Sequence, residues 1–197
     1  MFFKIVSILG SLTLISRILG YIRDLLIARL FGAGLVSDAF FVSFKLPNLF
    51  RRLFAEGSLN SAFIPVVSGI KSKFGRQKSD EFLSTIFSIL LSFLFILLII
   101  CELLMPIIIN LIAPGFSKNP EKFLLSVDLA RLTFPFVVFV CLTSLIGGYL
   151  NTLGKFAAMA VTPIILNLTM ILTLIIFFKL ENQTFLAKYL SFSISLA

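Results

Sequence analysis

Histidine is absent from this chain of 197 residues. That removes the commonest metal ligand and the usual general base near neutral pH. Tryptophan is absent too, so an aromatic belt at a membrane interface has to be built from tyrosine and phenylalanine. The two cysteines, Cys101 and Cys141, each lie inside an apolar run, and no disulfide framework follows from them. Charged residues are scarce at 13%, against about 25% in ordinary soluble domains. There is no glycine-rich phosphate loop, no cluster of metal ligands and no nucleophile paired with a base, so nothing points to catalytic residues, a metal or a bound cofactor.

Apolar side chains fill the gap. Hydrophobic residues make up 59% of the chain, where soluble domains carry about 45–50%, and the mean hydropathy is +1.10. The chain therefore reads as an all-α polytopic membrane protein, because a helix satisfies its own backbone in hydrocarbon. The runs predict about five complete transmembrane helices and a truncated sixth, over 5–31, 37–70, 82–113, 124–150, 156–178 and 186–197. The first 16 residues resemble a signal peptide but end in no small-residue cleavage site. Ser37-Asp38 is a helix-start signal, and Pro47 and Pro65 are expected kinks. Loops are expected at Lys71–Lys78, Pro114–Pro120, Asn151–Lys155 and Leu180–Thr184. The last run is about half of the ~20 residues that a span needs, so an N-terminal piece of something longer is expected. Lys4, Lys71, Lys73, Arg76, Lys78 and Lys155 would share one side, and Lys118, Lys122, Lys179 and Lys188 the other. The first set outweighs the second, which favours a cytoplasmic N-terminus.

Against this background, nine charges crowd between residues 17 and 56: Arg17, Arg23, Asp24, Arg29, Asp38, Lys45, Arg51, Arg52 and Glu56. Each Arg, Lys or Asp at mid-bilayer costs roughly 2.5–3.5 kcal/mol, so these groups must face water, one another or a charged ligand. At about 100° per residue, Asp38, Lys45, Arg52 and Glu56 share one helical stripe, flanked by Asn48 and Asn60. Arg17 and Asp24 share a face of the preceding helix beside Gly20, while Arg23 and Arg51 point elsewhere. Local pairing of Arg17 with Asp24, Asp38 with Lys45 and Arg52 with Glu56 would absorb part of the charge. Six cations against three carboxylates still leave three unbalanced. A surplus of arginine suits an anionic ligand, because the guanidinium fork matches phosphate oxygens.

Other features carry less. Asp128 and Arg131 are spaced for a local pair, Glu102 for the outer interface or for ion coupling, and Gly147-Gly148 for close helix packing. Asn167 suits either a bond across helices or the cavity. The basic loop from Lys71 reads as a topology determinant and headgroup contact, not a nucleic-acid site.

SRILGYIRD, ARLFGAG, SDAFFVSFKLPNLFRRLFAEGSLNSAFIP, APGF and LNTLGKF together resemble the N-terminal lobe of the MurJ (MviN) lipid II flippase family, within the multidrug/oligosaccharidyl-lipid/polysaccharide exporter superfamily. The resemblance covers essentially the whole chain. It implies a two-lobe transporter of the bacterial cytoplasmic membrane, its second lobe absent from this sequence. Such a transporter moves lipid II, a prenyl-pyrophosphate-linked peptidoglycan precursor, from the inner to the outer leaflet. It implies substrate-binding roles for Arg17, Arg23, Asp24, Asp38, Arg51 and Arg52, and cavity or gate positions at Ser16 and Glu56; Lys45 and Asn167 join these as cavity candidates. The expected partners are lipid II, membrane lipids and the other lobe. Coupling to an ion or to the membrane potential stays open. So do two alternatives, a cation-coupled drug exporter of the same superfamily and a partial gene product without transport activity.

Overall fold

The computed structural model describes residues 2–52, 58–179 and 182–197. Its helices are α1 (Phe2–Phe31), α2 (Leu35–Phe50), α3 (Ser58–Ile112), α4 (Pro120–Thr133), α5 (Phe136–Thr152), α6 (Ala157–Ile176) and α7 (Gln183–Leu196), with a short 3₁₀ turn at Pro114–Lys118. Four helical stretches are long and apolar enough to cross a membrane: Val6–Phe31, Asn60–Ile112, Pro120–Thr152 and Ala157–Ile176.

Three expected elements differ in detail. Over the span expected at 37–70, α2 runs to Phe50 and into a π-helical turn at Arg51 and Arg52, and α3 begins at Ser58. The span over 124–150 is broken between α4 and α5, where Pro135 lacks the N–H that would continue the helix and crowds the Arg131 carbonyl. The loop expected over 71–78 shrinks to one residue. Gly75 takes φ 84° and ψ 178° inside otherwise helical backbone, a conformation that only glycine adopts without strain. Phe63 and Phe82 would stand about 28 Å apart along one straight helix, yet their ring centroids stack at 6.1 Å. The arms 58–74 and 76–112 therefore fold back on each other as a hairpin, and α5 packs against both through Leu145 and Tyr149.

The remaining core joins α2, α4 and α7 around Phe40, Leu129, Phe134, Leu186 and Leu190, and α1 lies along α6. In hydrocarbon each backbone group needs a partner, and the long side chains supply several. Pro47 cannot donate to the Ser43 carbonyl one turn back, so the buried Thr133 hydroxyl donates to it from α4 at 3.3 Å. Gln183 donates to the Leu30 carbonyl at the end of α1, at 3.0 Å. Lys71 donates to the Thr152 carbonyl at the end of α5, at 2.8 Å. These ties sort the chain ends. Residues 30–38, 119–122 and 182–183 gather at one end of the bundle, and residues 71–80 and 149–158 at the other.

Gly147 and Gly148 mark close packing, as expected from the sequence. A Cβ at Gly147 would run into the Met159 side chain, and one at Gly148 into the Asn60 amide, which donates to Ser144 Oγ at 3.1 Å. Gly148→Val should accordingly lower stability by about 1–3 kcal/mol, the usual cost of overpacking. Gly10→Ala, with open space around it, should leave stability unchanged or raise it by a few tenths of a kcal/mol. Thermal unfolding of the two variants in detergent, side by side with the parent, checks the difference.

Candidate functional site

A cavity of about 750 Å³ opens between α1, α2, α5 and α6, within the ~300–1,000 Å³ range of small-molecule sites. Each helix gives it one face at helical spacing. From α1 come Thr13, Ser16, Arg17, Gly20 and Arg23. From α2 and the turn after it come Phe44, Asn48, Arg51 and Arg52. From α5 come Phe136, Val140, Thr143 and Ser144, and from α6 a face that includes Thr162, Pro163 and Asn167. No Asp or Glu side chain lines the cavity among the described residues.

The arginines differ in how they are held. Arg23 has only 17% of its side chain exposed. Its Nε and Nη2 donate to Asp24 Oδ1 at 2.9 and 2.7 Å, and its Nη1 donates to Asn167 Oδ1 at 2.8 Å. Arg17 and Arg52 make no side-chain hydrogen bond or ion pair among the described residues. Their charges face the cavity without a counter-ion among the described residues.

Of the expected site residues, Ser16, Arg17, Arg23, Arg51, Arg52 and Asn167 are brought together, and Asp24, Asp38 and Lys45 are not on the lining. Arg23 and Arg51, expected to point elsewhere, both reach it. Their long arms swing beyond the direction of the Cα–Cβ bond, and the π-helical turn at Arg51 shifts the helical phase. Asp24 is exposed and bound to Arg23 rather than to Arg17. Asp38 pairs with Lys122 of α4 rather than with Lys45, which leaves Lys45 on an exposed face. Glu56 lies outside the described residues. The local pair expected between Asp128 and Arg131 does not form. Asp128 meets Lys188 of α7 at 3.2 Å, and Arg131 meets Glu102 of α3 at 4.0 Å.

The hydroxyls that α5 and α6 add to the lining were not legible beforehand. Thr143, Ser144 and Thr162 sit in runs that read as plain apolar spans, where a hydroxyl usually bonds its own helix. Their convergence depends on which faces of α5 and α6 meet α1.

Removing arginines should separate the two kinds. Arg17→Ala and Arg52→Ala should leave thermal stability within about 0.5 kcal/mol of the parent or raise it, because no partner is orphaned and like charges are thinned. Arg23→Ala should lower it by about 1–3 kcal/mol, because Asn167 and Asp24 lose their donor. Denaturation midpoints in one detergent system measure all three.

Comparison with known proteins gives a consistent picture. The family model described as "Lipid II flippase MurJ" matches residues 27–197. A protein of Rickettsia prowazekii (strain Madrid E) named "Probable lipid II flippase MurJ" is 43% identical over 189 residues, which is 96% of this chain and 36% of the relative. A protein of the same name from Buchnera aphidicola subsp. Acyrthosiphon pisum (strain APS) is 44% identical over 174 residues, 88% of this chain and 33% of the relative. A solved structure titled "Lipid II flippase MurJ, inward closed conformation" matches with a TM-score of 0.77 at 32% identity, covering 94% of this chain and 39% of that one. The chain thus spans about a third of the length of the curated relatives it matches.

Proposed function

This chain belongs to the lipid II flippase MurJ family, and we propose that its arginine-lined cavity is the N-terminal half of a site that carries the pyrophosphate of lipid II across the membrane. It is a multi-pass membrane protein. One observation carries the reading. Arg17, Arg23, Arg51 and Arg52 meet in one cavity whose described lining holds no Asp or Glu side chain. A pyrophosphate bears a negative charge on each phosphate, and its transfer into hydrocarbon unaided is prohibitive. Guanidinium groups replace its hydration with charge-assisted, paired hydrogen bonds, while a prenyl tail stays in lipid. The same lining disfavours a cation-coupled drug or small-molecule exporter, whose cavity would favour carboxylates and aromatics over surplus arginine.

Carriage needs two walls that rock about the bound group. The second wall belongs to the part of the relatives that this chain does not span. A chimera joining this chain to the remaining two-thirds of the Rickettsia relative is the working test. It should sustain growth of cells depleted of their own lipid II flippase. Arg17→Ala and Arg52→Ala should abolish that growth at normal membrane levels, and lysine at the same positions should restore it in part, keeping charge but losing the fork. Full growth with both alanines would overturn the reading.

The proposal includes an orientation with the N-terminus and the Gly75 turn in the cytoplasm. Lys71, Lys73, Arg76, Lys78 and Lys155 gather at that end, and cationic loops are retained inside. In a chain lacking Cys101 and Cys141, a cysteine at Ser117 should react with an impermeant maleimide added to intact cells. A cysteine at Gly75 should react only after lysis, and the reverse pattern would invert the topology.

A further inference from the structure

Asn167 is 6% exposed, and α1 uses both ends of its amide. Its Nδ2 donates to the Ser16 carbonyl at 3.0 Å, and its Oδ1 accepts from Arg23 at 2.8 Å. Gly20 faces this amide, since a Cβ there would already touch Nδ2 at 3.5 Å. With both polar ends committed to α1, Asn167 has little left to offer a ligand directly.

Proton counting on Arg23 shows what the amide does. A guanidinium has five N–H donors. Asp24 takes one from Nε and one from Nη2, and Asn167 takes one from Nη1. One N–H remains on each terminal nitrogen, and with Asn167 on the Nη1 hydrogen nearer Cδ these two form the end-on pair that grips two oxygens of a phosphate. Asp24 alone would hold one edge of the group and let the long arm swing with it. Asn167 fixes the other side, from a different helix, and ties it to the backbone of α1.

We infer that Asn167 is a positioning residue that holds Arg23 so that its two uncommitted N–H groups face a phosphate of the substrate. The inference rests on the pyrophosphate reading above and names how that site is pre-organised. A fork held in place before binding loses less side-chain freedom on contact.

The test is a double-variant cycle on binding. The chimera described above is placed in nanodiscs and titrated with undecaprenyl pyrophosphate, alone and with Asn167→Leu, Arg23→Ala and both changes. Asn167→Leu should weaken binding about tenfold in the parent and have no further effect once Arg23 is alanine, because its action passes through that arginine. Equal weakening in both backgrounds would reduce Asn167 to a packing role and overturn the inference. So would unchanged affinity of Asn167→Leu in the parent, with the pyrophosphate reading left standing. If the parent chimera does not bind, that reading falls and takes the inference with it. Should the leucine variant fail to accumulate, Asn167→Ser removes the reach to Arg23 while keeping a polar group, and the same outcomes decide. Arg17→Ala should weaken binding without altering the effect of Asn167→Leu, which separates the clamp from general loss of positive charge.

Discussion

Hydrocarbon offers no hydrogen bonds, and most of this structure follows from that constraint. Four arginines left in lipid would cost on the order of 10 kcal/mol, comparable to the whole stability of a small domain. They are affordable only because α1, α2, α5 and α6 keep a cavity between them. The same constraint explains the smaller bonds. The Ser43 carbonyl, deprived of a donor by Pro47, receives one from Thr133 across the α2–α4 contact. The last carbonyls of α1 and α5 are met by Gln183 and Lys71, which come from other helices. A requirement of local backbone chemistry thereby becomes a set of tertiary ties.

Charge is arranged in two regimes. At the ends of the bundle, cations meet carboxylates one to one: Asp38 with Lys122, Asp128 with Lys188, and Glu81 with Lys78. Exposed pairs of this kind contribute little stability, usually under ~1 kcal/mol each. In the middle the balance is broken on purpose, because Arg17 and Arg52 keep their charge without an answering carboxylate among the described residues. Both side chains are exposed to the space between the helices, and uncompensated guanidinium groups facing such a cavity in a membrane suit an anionic ligand.

Much of the architecture was readable from hydropathy, because about 20 apolar residues in a row have few alternatives to a membrane helix. The Gly75 hairpin was placed correctly but drawn too long, since polar residues such as Lys73 and Gln77 stay helical at an interface and only the glycine turns. The arginine cluster was legible as a surplus, and the surplus survives. Helical spacing alone did not show which arginines share a cavity, although the resemblance implied substrate-binding roles for all four. A helical wheel assigns directions to Cβ atoms, while the tip of an arginine is decided by what it meets, as Arg23 is by Asn167 at a separation of 144 residues. Asp38 and Lys122 escaped for the same reason, being 84 residues apart. Local spacing had offered Lys45 instead, and tertiary contact overrode it.

The cations around Gly75 lead two lives. In the finished fold Lys71 sits on the Thr152 carbonyl, Lys78 on Glu81, and Arg76 lies 3.8 Å from Asp80, which also accepts from Tyr149. Only Lys73 is left without such a tie among the described residues. A nascent chain has none of these bonds, so all four charges are displayed while the helices are being threaded into the bilayer and their direction is decided. In the proposed orientation the segment serves first as an address label and afterwards as a seam that ties α3 to α5.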